Sequence, residues 1–240
     1  MHLIRNVIFR GVLLCTVLSF LTAPAPALEL IPHTASYTAK FKKGVSLNGT
    51  AVRELVKLDN GRWRYRFDVE SMVADIDESV VFEWQNNQVK PLQYRYELSG
   101  FFIRDRHQDV AFDWPALKAR GSHKDKTWEL PIPPNALDRL GYQLQLLVDV
   151  QLEKPIMHYQ VVHKNKIRPG TFRILREEPI DTVLGTVDSV LVEKVRAPEK
   201  QRETLLWFSK KYPFLLLKMN QVEEDGEEYE INLKSSDLLP

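Results

Sequence analysis

Cysteine is almost absent from this chain. The 240 residues include one, Cys15, and it lies inside an apolar stretch near the N-terminus. Leu14 precedes it where a lipid-attachment signal would carry Gly, Ala or Ser, so Cys15 is not read as a lipidation site. If that stretch is cut away on export, the mature chain has no thiol, which excludes disulfides, thiol catalysis and cysteine-bound metal together. A surplus of one charge is also missing, since 33 Lys+Arg stand against 32 Asp+Glu. Nucleic-acid binding calls for a clustered basic surface, and no nucleic-acid partner is expected. The apolar run Gly11–Leu21 has eleven residues, well short of the roughly 20 that a membrane helix needs. There is no Gly-x-Ser-x-Gly elbow and no glycine-rich phosphate loop after a strand, so no catalytic residue is assigned.

Metal ligation finds no better footing. His158 and His163 are five apart on an expected strand and point to opposite faces, while His107 and His123 are isolated. The acidic clusters at Asp75, Asp77 and Glu78 and at Glu223–Glu228 do not match the twelve-residue calcium loop with its terminal Glu. No metal and no other cofactor is expected.

What is present begins with an export signal. Arg5 and Arg10 give a positive start, Gly11–Leu21 an apolar centre, and Ala25-Pro26-Ala27 small residues for a peptidase. Residues 1–27 are therefore expected to be cleaved, leaving 28–240 as a single β-rich domain of 213 residues with a net charge of −1, in the periplasm. A chain of that length buries enough apolar surface to fold without disulfides.

Period-two alternation dominates the remainder. After the Asp59-Asn60-Gly61 turn, Trp63, Tyr65, Phe67 and Val69 face one way and Arg62, Arg64, Arg66 and Asp68 the other. Phe82 with Trp84, Tyr94 with Tyr96, and Phe112 with Trp114 repeat the theme on later segments. Asp225-Gly226 between alternating segments predicts a hairpin. Gly121-Ser122-His123 reads as a turn. About a dozen strands, one solvated face each, predict an antiparallel architecture.

A helical period occurs in one place, Asn135–Leu152. Leu137, Leu140, Leu144, Leu147 and Val148 form an apolar stripe, with Asn135 as N-cap and Asp138 at N3. A lone amphipathic helix must bury its stripe against a sheet. The fold class expected is mainly β: a curved antiparallel sheet or open half-barrel with this helix in or against its concave side.

The aromatic faces are the most suggestive feature. Trp63, Tyr65, Phe67, Phe82, Trp84, Tyr94, Tyr96, Phe112 and Trp114 would line one side of adjacent strands. One reading makes them the core under the helix, each contributing roughly 1.5–3 kcal/mol on burial. The other leaves part of the face uncovered, as a cavity for a lipid or acyl ligand with Leu137, Leu140, Leu144, Leu147 and Val148 as its helical wall. Phe101-Phe102-Ile103 reads equally as a mouth loop or membrane-touching tip and as a buried hairpin.

Asp138-Arg139-Leu140 with Gln143-Leu144-Gln145-Leu146, the run Ile180–Val190, and Arg202-Glu203-Thr204 before Leu206-Trp207-Phe208 resemble one another's counterparts in a known family. Lys218-Met219, Ser99-Gly100, Phe112-Asp113-Trp114 and the Asp225-Gly226 hairpin extend the likeness over most of the mature chain. The sequence resembles the exported bacterial proteins with domain of unknown function 3108, departing where Leu215-Leu216 replaces the usual Leu-Pro pair. The resemblance implies a periplasmic β-rich protein with no established activity and supplies no site residues. Two functions are expected from the residues: a non-enzymatic protein binding a hydrophobic ligand, or an envelope scaffold with a packed interior. The scaffold would engage an envelope protein partner through a strand edge such as Arg62–Asp68.

Overall fold

The computed structural model describes residues 27–43, 45–101, 103–123, 126–197 and 201–239. The expected signal segment, up to residue 26, lies outside the described residues, as does Phe102 of the Phe101-Phe102-Ile103 segment.

Inward apolar and outward charged residues alternate so regularly that almost every segment becomes a strand. The first meander runs β1 (His33–Lys43), β2 (Val45–Lys57), β3 (Trp63–Ser71), β4 (Ala74–Gln85), β5 (Gln88–Gly100), β6 (Arg106–Asp113), β7 (Lys118–His123) and β8 (Lys126–Pro131). A two-residue strand, β9 (Ala136–Leu137), and the helix α1 (Gly141–Gln151) follow. The second meander is β10 (Ile156–His163), β11 (Lys166–Thr182), β12 (Gly185–Val195), β13 (Glu203–Ser209), β14 (Leu216–Val222) and β15 (Glu228–Ser236). β15 pairs antiparallel with β1, which joins the two meanders into one 15-stranded sheet in the order β8 to β1, then β15 to β9. Every pairing is antiparallel except β9 with β10. The sheet is curved and does not close, as the sequence predicted.

That topology fixes where the helix must be. The chain leaves β8 at one edge and must reach β10 near the other, so the connection crosses the concave side. α1 touches β5 on one flank and β10 on the other. Turn chemistry holds the meanders in register: Asn86 and Asn87 both adopt positive φ (53° and 60°), the backbone of a two-residue hairpin turn.

Three sequence expectations are corrected here. The helix begins at Gly141, not after Asn135, because Ala136 and Leu137 pair with Gln160 and Val161 of β10. Leu137 is thus a strand residue, and the N-cap is Leu140 rather than Asn135; just ahead of it Asp138 Oδ1 accepts the N–H groups of Leu140 and Gly141 at 2.8 and 2.7 Å. Gly121-Ser122-His123 is the end of β7, where Gly121 lies opposite Trp128. A Cβ at Gly121 would come within 2.4 Å of both the Asp109 carbonyl and the Trp128 ring, which explains the glycine in a strand. Finally, Arg62–Asp68 offers no free edge, since β3 is paired on both sides by β2 and β4.

The stripe residues Leu140, Leu144, Leu147 and Val148 are buried, and so are Gln145, Leu146, Asp149 and Val150, so α1 is enclosed on most of its circumference. Its buried side chains Gln145 and Asp149 are satisfied by the sheet, by each other and by Lys154. Gln145 accepts the Val89 N–H at 2.8 Å and donates to the Asn87 carbonyl at 3.0 Å. Asp149 accepts from the Tyr159 hydroxyl at 2.8 Å, Lys154 Nζ at 2.7 Å and Gln145 Nε2 at 3.0 Å. These bonds tie α1 to the β4–β5 turn and to β10, and a fully satisfied buried network of this kind fixes orientation as well as position. Among the described residues no helix is long and apolar enough to cross a membrane.

Candidate functional site

Enclosure of α1 is not the same as close packing all round. Between the helix and the inner face of the sheet lies a cavity of about 740 Å³. Leu146, Leu147, Tyr142 and Gln143 of α1 form one wall. Opposite them stand Phe67 of β3, Phe172 of β11, Leu206 and Phe208 of β13, Met219 of β14 and Ile231 of β15. Tyr142, Tyr159 and Phe172 form a ring cluster with centroids 5.9–6.2 Å apart at one side of it.

The nine aromatic candidates do not stay together. Phe67 and Tyr96 line the cavity. Trp63, Tyr65, Phe82, Tyr94 and Phe112 are buried in the core. Trp84 and Trp114 are half-buried and donate to the carbonyls of Leu28 and Pro91 at 3.2 and 2.7 Å. Of the helical wall candidates Leu147 faces the cavity, while Leu137, Leu140, Leu144 and Val148 are buried in the core. Phe101 is exposed and Ile103 half-buried.

Cations are what the sequence reading missed. The lining includes Arg53, Arg139, Arg168, Lys194, Arg196 and Arg202 against a single carboxylate, Glu78. Arg53 is 6% exposed; it donates to the Tyr65 hydroxyl at 2.7 Å and to Gln143 Oε1 at 2.8 Å, lies 4.6 Å from the Phe67 ring centroid, and its Nε has no partner. Arg139 lies 5.2 Å from the Tyr96 ring centroid. Lys194 is 5.5 Å from the Phe172 ring centroid and 5.9 Å from that of Tyr142. Burial, then the charges of Arg196, Arg202 and Arg139, push its ammonium down to about 8. Burial and then Arg202 likewise lower Arg196. Glu78 accepts from the Tyr94 hydroxyl at 2.6 Å, and burial followed by the Glu78 charge drives that phenol far above its ordinary value.

A signal for these residues existed in the alternation. Arg53 falls in the inward phase with Ala51 and Leu55, and Lys194 and Arg196 in phase with Val190 and Val192. A basic residue in the apolar phase of a strand marks a polar feature on the buried side.

Fold and cavity together define an open β-barrel-like protein with a helix across its interior. The sequence profile of the family described as "Protein of unknown function (DUF3108)" matches residues 36–234, and the chain belongs to that family. Among curated proteins no match was found. A solved structure from Brucella abortus, described as a beta-barrel-like protein of domain of unknown function DUF1849, aligns with a TM-score of 0.61 at 12% identity, covering 88% of this chain and 99% of that one. The likeness is one of fold. A DUF1329 family protein from Desulfovibrio piger aligns at 8% identity and a TM-score of 0.26. A putative outer membrane lipoprotein-sorting protein domain from Vibrio parahaemolyticus aligns at 12% identity and 0.24. Each of these two alignments covers 85% of this chain and 84% of the other, at TM-scores too low to carry an argument.

Proposed function

We propose that this chain is a periplasmic, non-enzymatic protein that takes up a hydrophobic, lipid-like ligand in the cavity beside α1. The supporting observation is the cavity itself. Its 740 Å³ fall in the range of roughly 300–1,000 Å³ typical of ligand sites, and Phe67, Leu147, Phe172, Leu206, Phe208 and Met219 give it an apolar surface. In this reading residues 1–27 are the export signal and 28–240 the mature domain.

The test is uptake of a fluorescent fatty acid by protein stripped of lipid, compared with a variant whose cavity is partly filled. Gly170 suits that purpose: it lines the cavity, and a Cβ there meets only the Phe172 ring, at an unstrained 3.7 Å. Gly170→Leu is expected to keep the fold and weaken uptake. No uptake by the unaltered protein, or uptake indifferent to the filling of the cavity, refutes the reading.

One observation favours a second reading, as an envelope scaffold. Among the described residues β8 pairs with β7 alone and leaves its other edge open, a surface to which a partner's strand could add. Site-specific crosslinking from Thr127 or Glu129 in cells tests it, and a scaffold returns one protein partner reproducibly.

A further inference from the structure

The polarity of the cavity is ordered along the strands. Val190 is opposite Phe208, which is opposite Leu216, and this row is apolar. The next row, Val192, Leu206, Met219 and Ile231, is apolar too. One step further toward the rim the row changes to Thr204 opposite Gln221, with Lys194 in the same inward phase of β12. Beyond it come Arg196 and Arg202. Arg196 donates to Thr204 Oγ1 at 3.0 Å, and Thr204 donates to Gln221 at 3.2 Å.

The cations at this end differ from those on the outer face. Outside, Arg64 pairs with Glu54, Arg66 with Asp77, Arg95 with Asp109, Arg120 with Glu129 and Arg173 with Glu193, all at 2.5–3.3 Å. Inside, among the described residues, Arg53, Arg139, Lys194 and Arg196 have no carboxylate within ion-pair distance; Arg202 alone is paired, with Glu223 at 2.8 Å. Like charges brought together in a partly desolvated space repel, and the arrangement persists at a cost unless an anion enters.

We propose that the ligand is an anionic amphiphile, its carboxylate or phosphate head held by Lys194 and Arg196 with Arg139 opposite, and its apolar tail lying along the Leu206–Met219–Ile231 row. This rests on the reading of the cavity as a lipid site and adds the sign of the charge. The binding is noncovalent. Guanidinium groups suit either head, since their paired donors match both carboxylate and phosphate geometry.

The experiment titrates lipid-free protein with four probes of one chain length: palmitate, monohexadecyl phosphate, hexadecanol and hexadecylamine. Palmitate or the phosphate is expected to bind about ten- to a hundredfold tighter than the alcohol, with the amine weakest. The stronger of the two anions tells which head the site was built for. The double variant Lys194→Gln, Arg196→Gln is expected to bring the anion down to the alcohol's affinity while leaving the alcohol unchanged. Should that variant not fold, raising the salt concentration on the unaltered protein must weaken the anion and not the alcohol. Equal affinity of acid and alcohol overturns the charge assignment while leaving the lipid reading standing. Binding of none of the four overturns both.

Discussion

Asp138→Asn separates two roles that one carboxyl combines. Asp138 is fully buried, its Oδ1 accepts two backbone N–H groups at the start of α1, and its Oδ2 has no partner. Burial, opposed by the bonds from Gly141 and Leu140, pushes the carboxyl up to about 7 from an ordinary 3.8. Between those values the folded protein keeps a proton that the unfolded chain has released. The folded state therefore binds more protons, and stability falls as pH rises through this window. Integrated from about pH 4.5 to about pH 8, the loss is about 3 kcal/mol, at roughly 1.36 kcal/mol per tenfold change in proton affinity. Asparagine keeps the accepting oxygen and cannot ionise, though its buried amide donors cost about 1–3 kcal/mol if unpaired. The difference in stability between Asn variant and parent is thus expected to move in favour of the variant by about 3 kcal/mol across the window, or roughly 6–12 °C in Tm for a chain of this size. Urea melts at several pH values read it directly. Other titrating groups, such as His33, which burial lowers, occur in both proteins and cancel. A difference that stays flat with pH means that Asp138 is ionised in the folded state, and refutes the reasoning.

Tyr94→Phe removes the hydroxyl that, among the described residues, donates to the buried Glu78, and is expected to cost about 2–3 kcal/mol in thermal melts. Tyr159→Phe should cost less, about 1 kcal/mol, because Asp149 keeps Lys154 and Gln145; the reverse order contradicts the account. Gly121→Ala drives a methyl into the Asp109 carbonyl and the Trp128 ring and is expected to destabilise by about 1–3 kcal/mol, an effect that Trp128→Leu lessens only in part. Affinity for a permanently charged alkyl sulfonate should fall, by about tenfold at most, between pH 7 and pH 9 as Lys194 loses its proton near 8, and Lys194→Arg should flatten the profile.

The strands were legible because inward and outward residues obey a period of two wherever one face is buried. The end of β7 was missed because Gly121-Ser122-His123 has turn composition, and the glycine is there for the Trp128 ring instead. The helix start was misplaced because Asn135 precedes the first leucine as a cap should. Pairing of Ala136 and Leu137 with β10 is a tertiary event that no local pattern records. Leu147 was placed on the cavity wall by its period, but Leu140, Leu144 and Val148 share that period and face the core. Helical spacing states that a residue is buried without stating against what. The cations were present in the alternation, in the inward phase at Arg53, Lys194 and Arg196; aromatic residues drew the reading because apolar burial is the commoner reason for a strand face.

The most direct test of the cavity as a lipid site is the mass of the intact protein isolated gently from its own cells, read by native mass spectrometry. The account predicts a second, dissociable mass in one-to-one ratio that carries negative charge on release, and its loss in Gly170→Leu. A bare polypeptide mass, from a protein that also refuses a fluorescent fatty acid, contradicts it.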